Sequence, residues 1–150
     1  MAQTDLKQCI QKDMIECMKT KQKSRLATIR LLQAAIKQKE VDERATLSDT
    51  DVLSIIEKMI KQRKESARQY TEADRLELAE QETTEITHLQ AYLPEPLSPE
   101  EISQCVDDAI AESGASSLKD MGALMAALKQ RLQGRADMSA VSTLVKQRLS

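Results

Sequence analysis

Tryptophan and phenylalanine are absent from this chain, and Tyr70 and Tyr92 are its only aromatics. The core must therefore be built from Leu, Ile, Val, Met and Ala. There is also no aromatic platform on which single-stranded bases would stack. Three glycines and three prolines leave too little turn chemistry for a many-stranded β fold. The three cysteines, Cys9, Cys17 and Cys105, lack CxxC spacing, and His88 is the single histidine, so no metal site is expected. An odd cysteine count points to a reducing compartment, and the start Met1-Ala2-Gln3-Thr4-Asp5 carries neither a basic nor an apolar leader segment. No apolar run approaches membrane-spanning length. These absences predict a cytoplasmic protein with no membrane partner.

What remains is a charged, aliphatic chain of 150 residues, 41% hydrophobic and 31% charged, with the composition of a globular protein. Its net charge of −2 hides an asymmetry: residues 1–64 carry +5, residues 65–112 carry −11 and residues 113–150 carry +4. Two basic ends flank an acidic middle, and each end is a possible polyanion-binding surface.

The apolar residues recur at helical spacing throughout. Leu6, Ile10, Met14, Cys17 and Met18 mark a first helix after Thr4, and Lys19–Lys23 reads as a turn. Ser24 is a candidate N-cap for a second helix, with Leu26, Ile29, Leu31, Leu32, Ala35 and Ile36 covering more than half its circumference. Such a helix should be central. Glu40–Leu47 reads as a polar loop. Ser48-Asp49-Thr50-Asp51 opens a third helix, predicted to run to about Thr71, about 34 Å. Its stripe is Val52, Ile55, Ile56, Met59, Ile60, Ala67 and Tyr70. A fourth, weaker stripe is Leu76, Ala79, Ile86 and Leu89, interrupted by Thr83, Thr84 and Thr87.

All three prolines, Pro94, Pro96 and Pro99, then fall within six residues and break the helical pattern. Ser98-Pro99-Glu100-Glu101 is a helix-start signal with a cap, a proline at the first position and a glutamate at the third. Three short helices follow: Ile102, Val106 and Ile110 up to Gly114; Met121, Leu124, Met125, Leu128 and Leu132 between Ser117 and Gly134; and Met138, Val141, Leu144, Val145 and Leu149 from Asp137. The expected fold is all-α. An N-terminal helical bundle with a long helix spans residues 1–93, a proline-rich joint 94–99, and a small three-helix tail domain 100–150.

No catalytic constellation is visible. There is no glycine-rich phosphate cradle. Ser116-Ser117 reads as a helix cap, the cysteines as small buried hydrophobes, His88 as an ordinary histidine, and Glu77, Glu80, Glu82 and Glu85 as a solvated face. No cofactor is called for.

The basic residues are more informative. Cys17–Lys39 holds seven cations and no acid, and Lys23, Arg30 and Lys37 are spaced by seven. At 100° per residue they fall within about 40° on the side left free by the apolar stripe, with Ala27 and Ala34 beside them. Two readings fit: a ridge that tracks phosphates, or a solvated face whose lysine stems cover the core. Lys58, Lys61, Arg63 and Lys64 form a second cluster among acids. The tail offers Lys129, Arg131, Arg135, Lys146 and Arg148, with Arg135 just after Gly134 at a helix junction. Gly122, Ala123, Ala126 and Ala127 give the sixth helix a small-residue face.

Four stretches in order give the chain a family resemblance: Arg25–Lys37, Ile60–Ser66, Tyr92-Leu93-Pro94 through Leu97–Glu101, and Gly134-Arg135-Ala136-Asp137 leading into Val145-Lys146. Together they resemble the GatB/YqeY family, whose domain is shared by free-standing proteins and the C-terminal part of the aspartyl/glutamyl-tRNA amidotransferase B subunit. Two positions depart from that pattern. Asp74-Arg75 stands where Gly-Arg is common, and Met138-Ser139 where a lysine is usual, so one basic contact is missing. The resemblance implies a helical unit with a three-helix tail, a family label of carbon–nitrogen ligase activity with glutamine as amido-N donor, and a tail that helps hold tRNA. It further implies tRNA and amidotransferase or aminoacyl-tRNA-related proteins as partners. The RNA-contacting candidates are Lys23, Arg30 and Lys37, from their spacing, and Lys129, Arg131, Arg135, Lys146 and Arg148, in the tail that the resemblance associates with tRNA. Subunit membership in an amidotransferase and a purely protein–protein role are the alternatives.

Overall fold

The computed structural model describes residues 5–150. The expectation for Met1–Thr4 lies outside the described residues. All regular structure there is helical: α1 Leu6–Lys19, α2 Lys23–Glu43, α3 Asp49–Glu72, α4 Leu76–Gln90, α5 Pro99–Ser113, α6 Met121–Leu132 and α7 Met138–Leu149, with a 3-10 turn at Leu118–Asp120. The fold is all-α. Contacts group the chain into two compact units, one up to Leu93 and one from Pro94.

In the first unit Asp5 caps α1, its carboxylate accepting from the Lys7 amide at 3.0 Å. Ile10, Cys17, Ile29, Leu32, Ile36, Val52, Ile55, Ile56, Met59, Ile60, Ile86 and Leu89 form one aliphatic core. Helix α2 sits within it, but its apolar stripe is narrower than its periodicity predicts: Leu31 is 48% exposed while Ile29, Leu32 and Ile36 are buried. Met18 on α1, expected to face inward, is 52% exposed, and Leu76 on α4 is 61% exposed. Each lies at the edge of its stripe, where no neighbouring helix covers it.

Helix α2 begins ahead of the Ser24 cap and runs on past Glu40, where a loop was expected. Gln22 occupies the cap position, and the Ser24 hydroxyl, inside the helix, meets His88 Nε2 at 3.3 Å. The segment Glu40–Glu43 is helix rather than loop, because the Glu40 carboxylate pairs with Lys7 Nζ at 2.7 Å and accepts from the Leu47 amide at 2.9 Å. The helix stops at Arg44, which is left-handed with φ 52°.

Helix α3 opens with Ser48 as the cap, as expected, and Ser48 and Asp51 complete a capping box. Its buried residues end at Ile60; beyond that point Ser66, Ala67 and Tyr70 are only half-buried. The Thr83, Thr84 and Thr87 hydroxyls of α4 bond back to carbonyls four residues earlier, so these threonines are absorbed by the helix. Asp74, in the turn between α3 and α4, has φ 59°. A left-handed residue there explains why glycine suits this position in the resembling pattern.

In the second unit the Ser98–Glu101 capping box forms as read: the Glu101 amide donates to Ser98 Oγ at 3.2 Å and the Ser98 amide to Glu101 Oε1 at 3.1 Å. Gly114 ends α5 in the left-handed region at φ 69°. Val106, Ala109, Leu124, Leu128, Leu132, Val141, Val145 and Leu149 make its core. The proline segment is held within this unit, since the Leu97 amide donates to the Arg135 carbonyl at 2.9 Å and Arg135 Nε to the Glu95 carbonyl at 3.1 Å.

Candidate nucleic-acid interface

Burial of Ile29, Leu32 and Ile36 turns the opposite side of α2 outward. Lys23, Ala27, Arg30, Ala34, Lys37 and Val41 are all exposed on it. Successive cations are about 10.5 Å apart along the axis. Among the described residues Lys23, Arg30 and Lys37 make no ion pair and no side-chain hydrogen bond. The alanines between them leave the helix surface low, so a phosphate backbone can approach closely.

A shallow groove between α1 and α2 runs beside this ridge and shares Lys37 with it. Buried Ile10 and Ile36 form its floor. Gln33 Nε2 donates across it to Gln11 Oε1 at 2.9 Å, and the Lys7–Glu40 pair closes one end. The Lys7 ammonium, and then the Leu47 amide, hold the Glu40 carboxyl below its ordinary range. The sequence reading missed the two glutamines, because their pairing joins residues twenty-two apart and neither carries charge.

The tail candidates are placed differently. Arg131 pairs with Glu112 of α5, and Arg148 of α7 pairs with Asp107 and donates to Ser103 Oγ at 2.8 Å. Arg135 is half-buried and clasps the proline segment through Glu95. Lys129 and Lys146 are exposed and make no ion pair among the described residues. The structure thus brings Lys23, Arg30 and Lys37 onto one face, while helix α5 engages two of the tail arginines. In the second basic cluster, Arg63 is taken up by Glu85 at 3.2 Å and the Met59 carbonyl at 3.3 Å, leaving Lys58, Lys61 and Lys64 exposed.

Two residues from the resembling stretches meet in a cluster that the sequence reading did not single out. The Tyr92 hydroxyl donates to Asp13 Oδ2 at 2.6 Å, and Arg25 Nη2 reaches the same oxygen at 3.3 Å. This ties the end of α4 to α1 and α2. Their place in those stretches was the available signal. Burial, and then the hydrogen bond to Asp13, push the Tyr92 hydroxyl well above the ordinary tyrosine range. A raised folded-state value means that the stability contributed by the neutral phenol is complete below about pH 10 and is lost as pH rises through the folded value. Tyr92→Phe is expected to cost about 1 kcal/mol at neutral pH. It should also flatten the loss of stability that sets in above about pH 10 in urea melts.

The residues weighed for chemistry have structural surroundings. Ser117 is the N-cap of the 3-10 turn, as read, in a capping box with Asp120, whose Oδ2 accepts from the amides of Ser116 and Ser117. Cys17 is buried, Cys9 and Cys105 half-buried, and all three are free thiols. Glu77 and Glu80 are exposed as read, whereas Glu82 and Glu85 are half-buried. Burial, and then the charge of Glu85, raise the Glu82 carboxyl. Among the described residues no group of His, Cys, Asp or Glu is arranged to hold a metal ion, and no helix is long and apolar enough to cross a membrane.

Comparison with known proteins adds a lineage. A family model described as Yqey-like protein matches residues 7–149. An uncharacterised protein of Schizosaccharomyces pombe is 34% identical over 94 residues, 63% of this chain and 76% of the relative. A Vanderwaltozyma polyspora protein named altered inheritance of mitochondria protein 41, mitochondrial, is 34% identical over 119 residues, 75% of this chain and 64% of that protein. The protein of the same name from Pyrenophora tritici-repentis is 30% identical over 129 residues, 85% of this chain and 71% of its own.

Proposed function

The chain belongs to the YqeY-like protein family, and from that premise we propose that it acts as an accessory module binding folded tRNA through the outer face of α2. The observation that carries this reading is the row Lys23, Arg30 and Lys37, exposed, evenly spaced and without a partner among the described residues. Lys129 and Lys146 are secondary contacts. Arg131 and Arg148 would have to leave their carboxylates to reach a phosphate. With no aromatic platform, recognition rests on shape and backbone. The carbon–nitrogen ligase activity implied by the resemblance, with glutamine as amido-N donor, would then be carried by amidotransferase or aminoacyl-tRNA-related partners. The three free thiols support a reducing compartment. The cytoplasm is the compartment expected from the sequence, and mitochondria are named for two of the relatives.

Fluorescence anisotropy with labelled deacylated tRNA tests the reading. Binding should weaken from about 50 to about 200 mM salt, with a log–log slope of about −2 to −3 for three phosphate contacts. No binding at low salt, or binding insensitive to salt, would sink it.

We further propose that the two units fold as separate domains joined near Pro94–Pro99. Limited digestion with a broad-specificity protease should cut first between Leu93 and Pro99. First cleavage elsewhere, with this segment resistant, argues for one cooperative body.

A further inference from the structure

The groove beside the α2 ridge carries a chemistry that phosphate binding does not use. Gln33 Nε2 donates to Gln11 Oε1 across it. That pairing leaves the Gln11 amide nitrogen with hydrogens to donate and the Gln33 carbonyl oxygen free to accept, with Gln11 exposed and Gln33 half-buried. Lys37 lines both the groove and the ridge, so the two amides lie beside any polyanion held on the ridge. The group that a ribose offers and a deoxyribose lacks is the 2′-hydroxyl, which both donates and accepts. It also lies in the wide, shallow minor groove of A-form RNA, the groove a helix face can reach.

We propose that Gln11 and Gln33 form a ribose-sensing site: a 2′-hydroxyl of a double-helical RNA stem donates to Gln33 Oε1 and accepts from Gln11 Nε2 while Lys23, Arg30 and Lys37 hold the flanking phosphates. The site makes the ridge selective for RNA over DNA. It rests on the RNA-binding reading above. The division of labour follows from charge: the cations supply affinity for any polyanion, and the uncharged amides discriminate between sugars.

The test uses the full chain and three duplexes of about 16 base pairs with one sequence: RNA, DNA, and RNA carrying 2′-O-methyl groups, which stays A-form but has lost the hydroxyl donor. Wild type should bind RNA about tenfold more tightly than DNA, the difference expected from one or two hydrogen bonds, with 2′-O-methyl RNA close to DNA. The double variant Gln11→Leu with Gln33→Leu should bring RNA down to the DNA level and leave DNA affinity within about twofold of wild type. The DNA arm reports any general loss of fold or charge. Equal wild-type binding of RNA and DNA, or of RNA and 2′-O-methyl RNA, overturns the ribose site while leaving the RNA-binding reading intact. A double variant that keeps the preference for RNA overturns it too. Failure to bind any duplex or tRNA at low salt removes both.

Discussion

Replacing Lys23, Arg30 and Lys37 together with glutamate is expected to weaken tRNA binding by at least about a hundredfold, because each lost charged contact is worth about 1 kcal/mol and the new acids repel phosphate. The fold should survive, since all three side chains are exposed and none has a partner to strand. Circular dichroism and urea melts of the variant should therefore overlay the wild type within about 0.5 kcal/mol. The informative contrast is Arg131→Glu with Arg148→Glu. Those arginines already face Glu112 and Asp107, so their reversal removes cations with neutralised fields and should weaken binding much less. If the tail pair matters more than the α2 row, the tail is the RNA-facing surface, as the family resemblance alone implies.

The second large effect lies on the other side of the same helix. Leu32 is fully buried in the aliphatic core. Leu32→Ala should lower unfolding free energy by about 3 kcal/mol, the combined cost of lost transfer energy and a residual cavity. Chemical denaturation followed by circular dichroism measures the loss. Below the unfolding transition, tRNA affinity should stay within about twofold of wild type, because the ridge points away from Leu32. A variant that loses binding while still folded would mean the core sets the spacing of the ridge more tightly than a rigid helix requires.

Local signals were legible in the sequence. The caps at Ser48 and Ser98 formed where read, because a cap is decided within four residues. The helical periodicity of apolar positions located all seven α-helices of the described residues. Long-range signals were not legible. The end of α2 depends on Lys7 meeting Glu40, thirty-three residues away. Periodicity marks an apolar stripe but not how wide the neighbour is that covers it, so Met18, Leu31 and Leu76 were placed inside and lie outside. The α2 ridge could be read because seven-residue spacing stays on one face. That Arg131 and Arg148 would be held by acids nineteen and forty-one residues away could not.

The uneven burial along α3 has a consequence in time rather than in space. Up to Ile60 its amides are locked by the core, and exchanging them with solvent requires the unit to unfold. From Lys61 to Glu72 no side chain is fully buried, and the Arg63–Glu85 pair with α4 and the local ties of Arg68 to Glu65 and Glu72 hold the helix. One continuous helix is therefore expected to hold two clocks, its second half exchanging sooner than its first, which keeps the lifetime of the whole core.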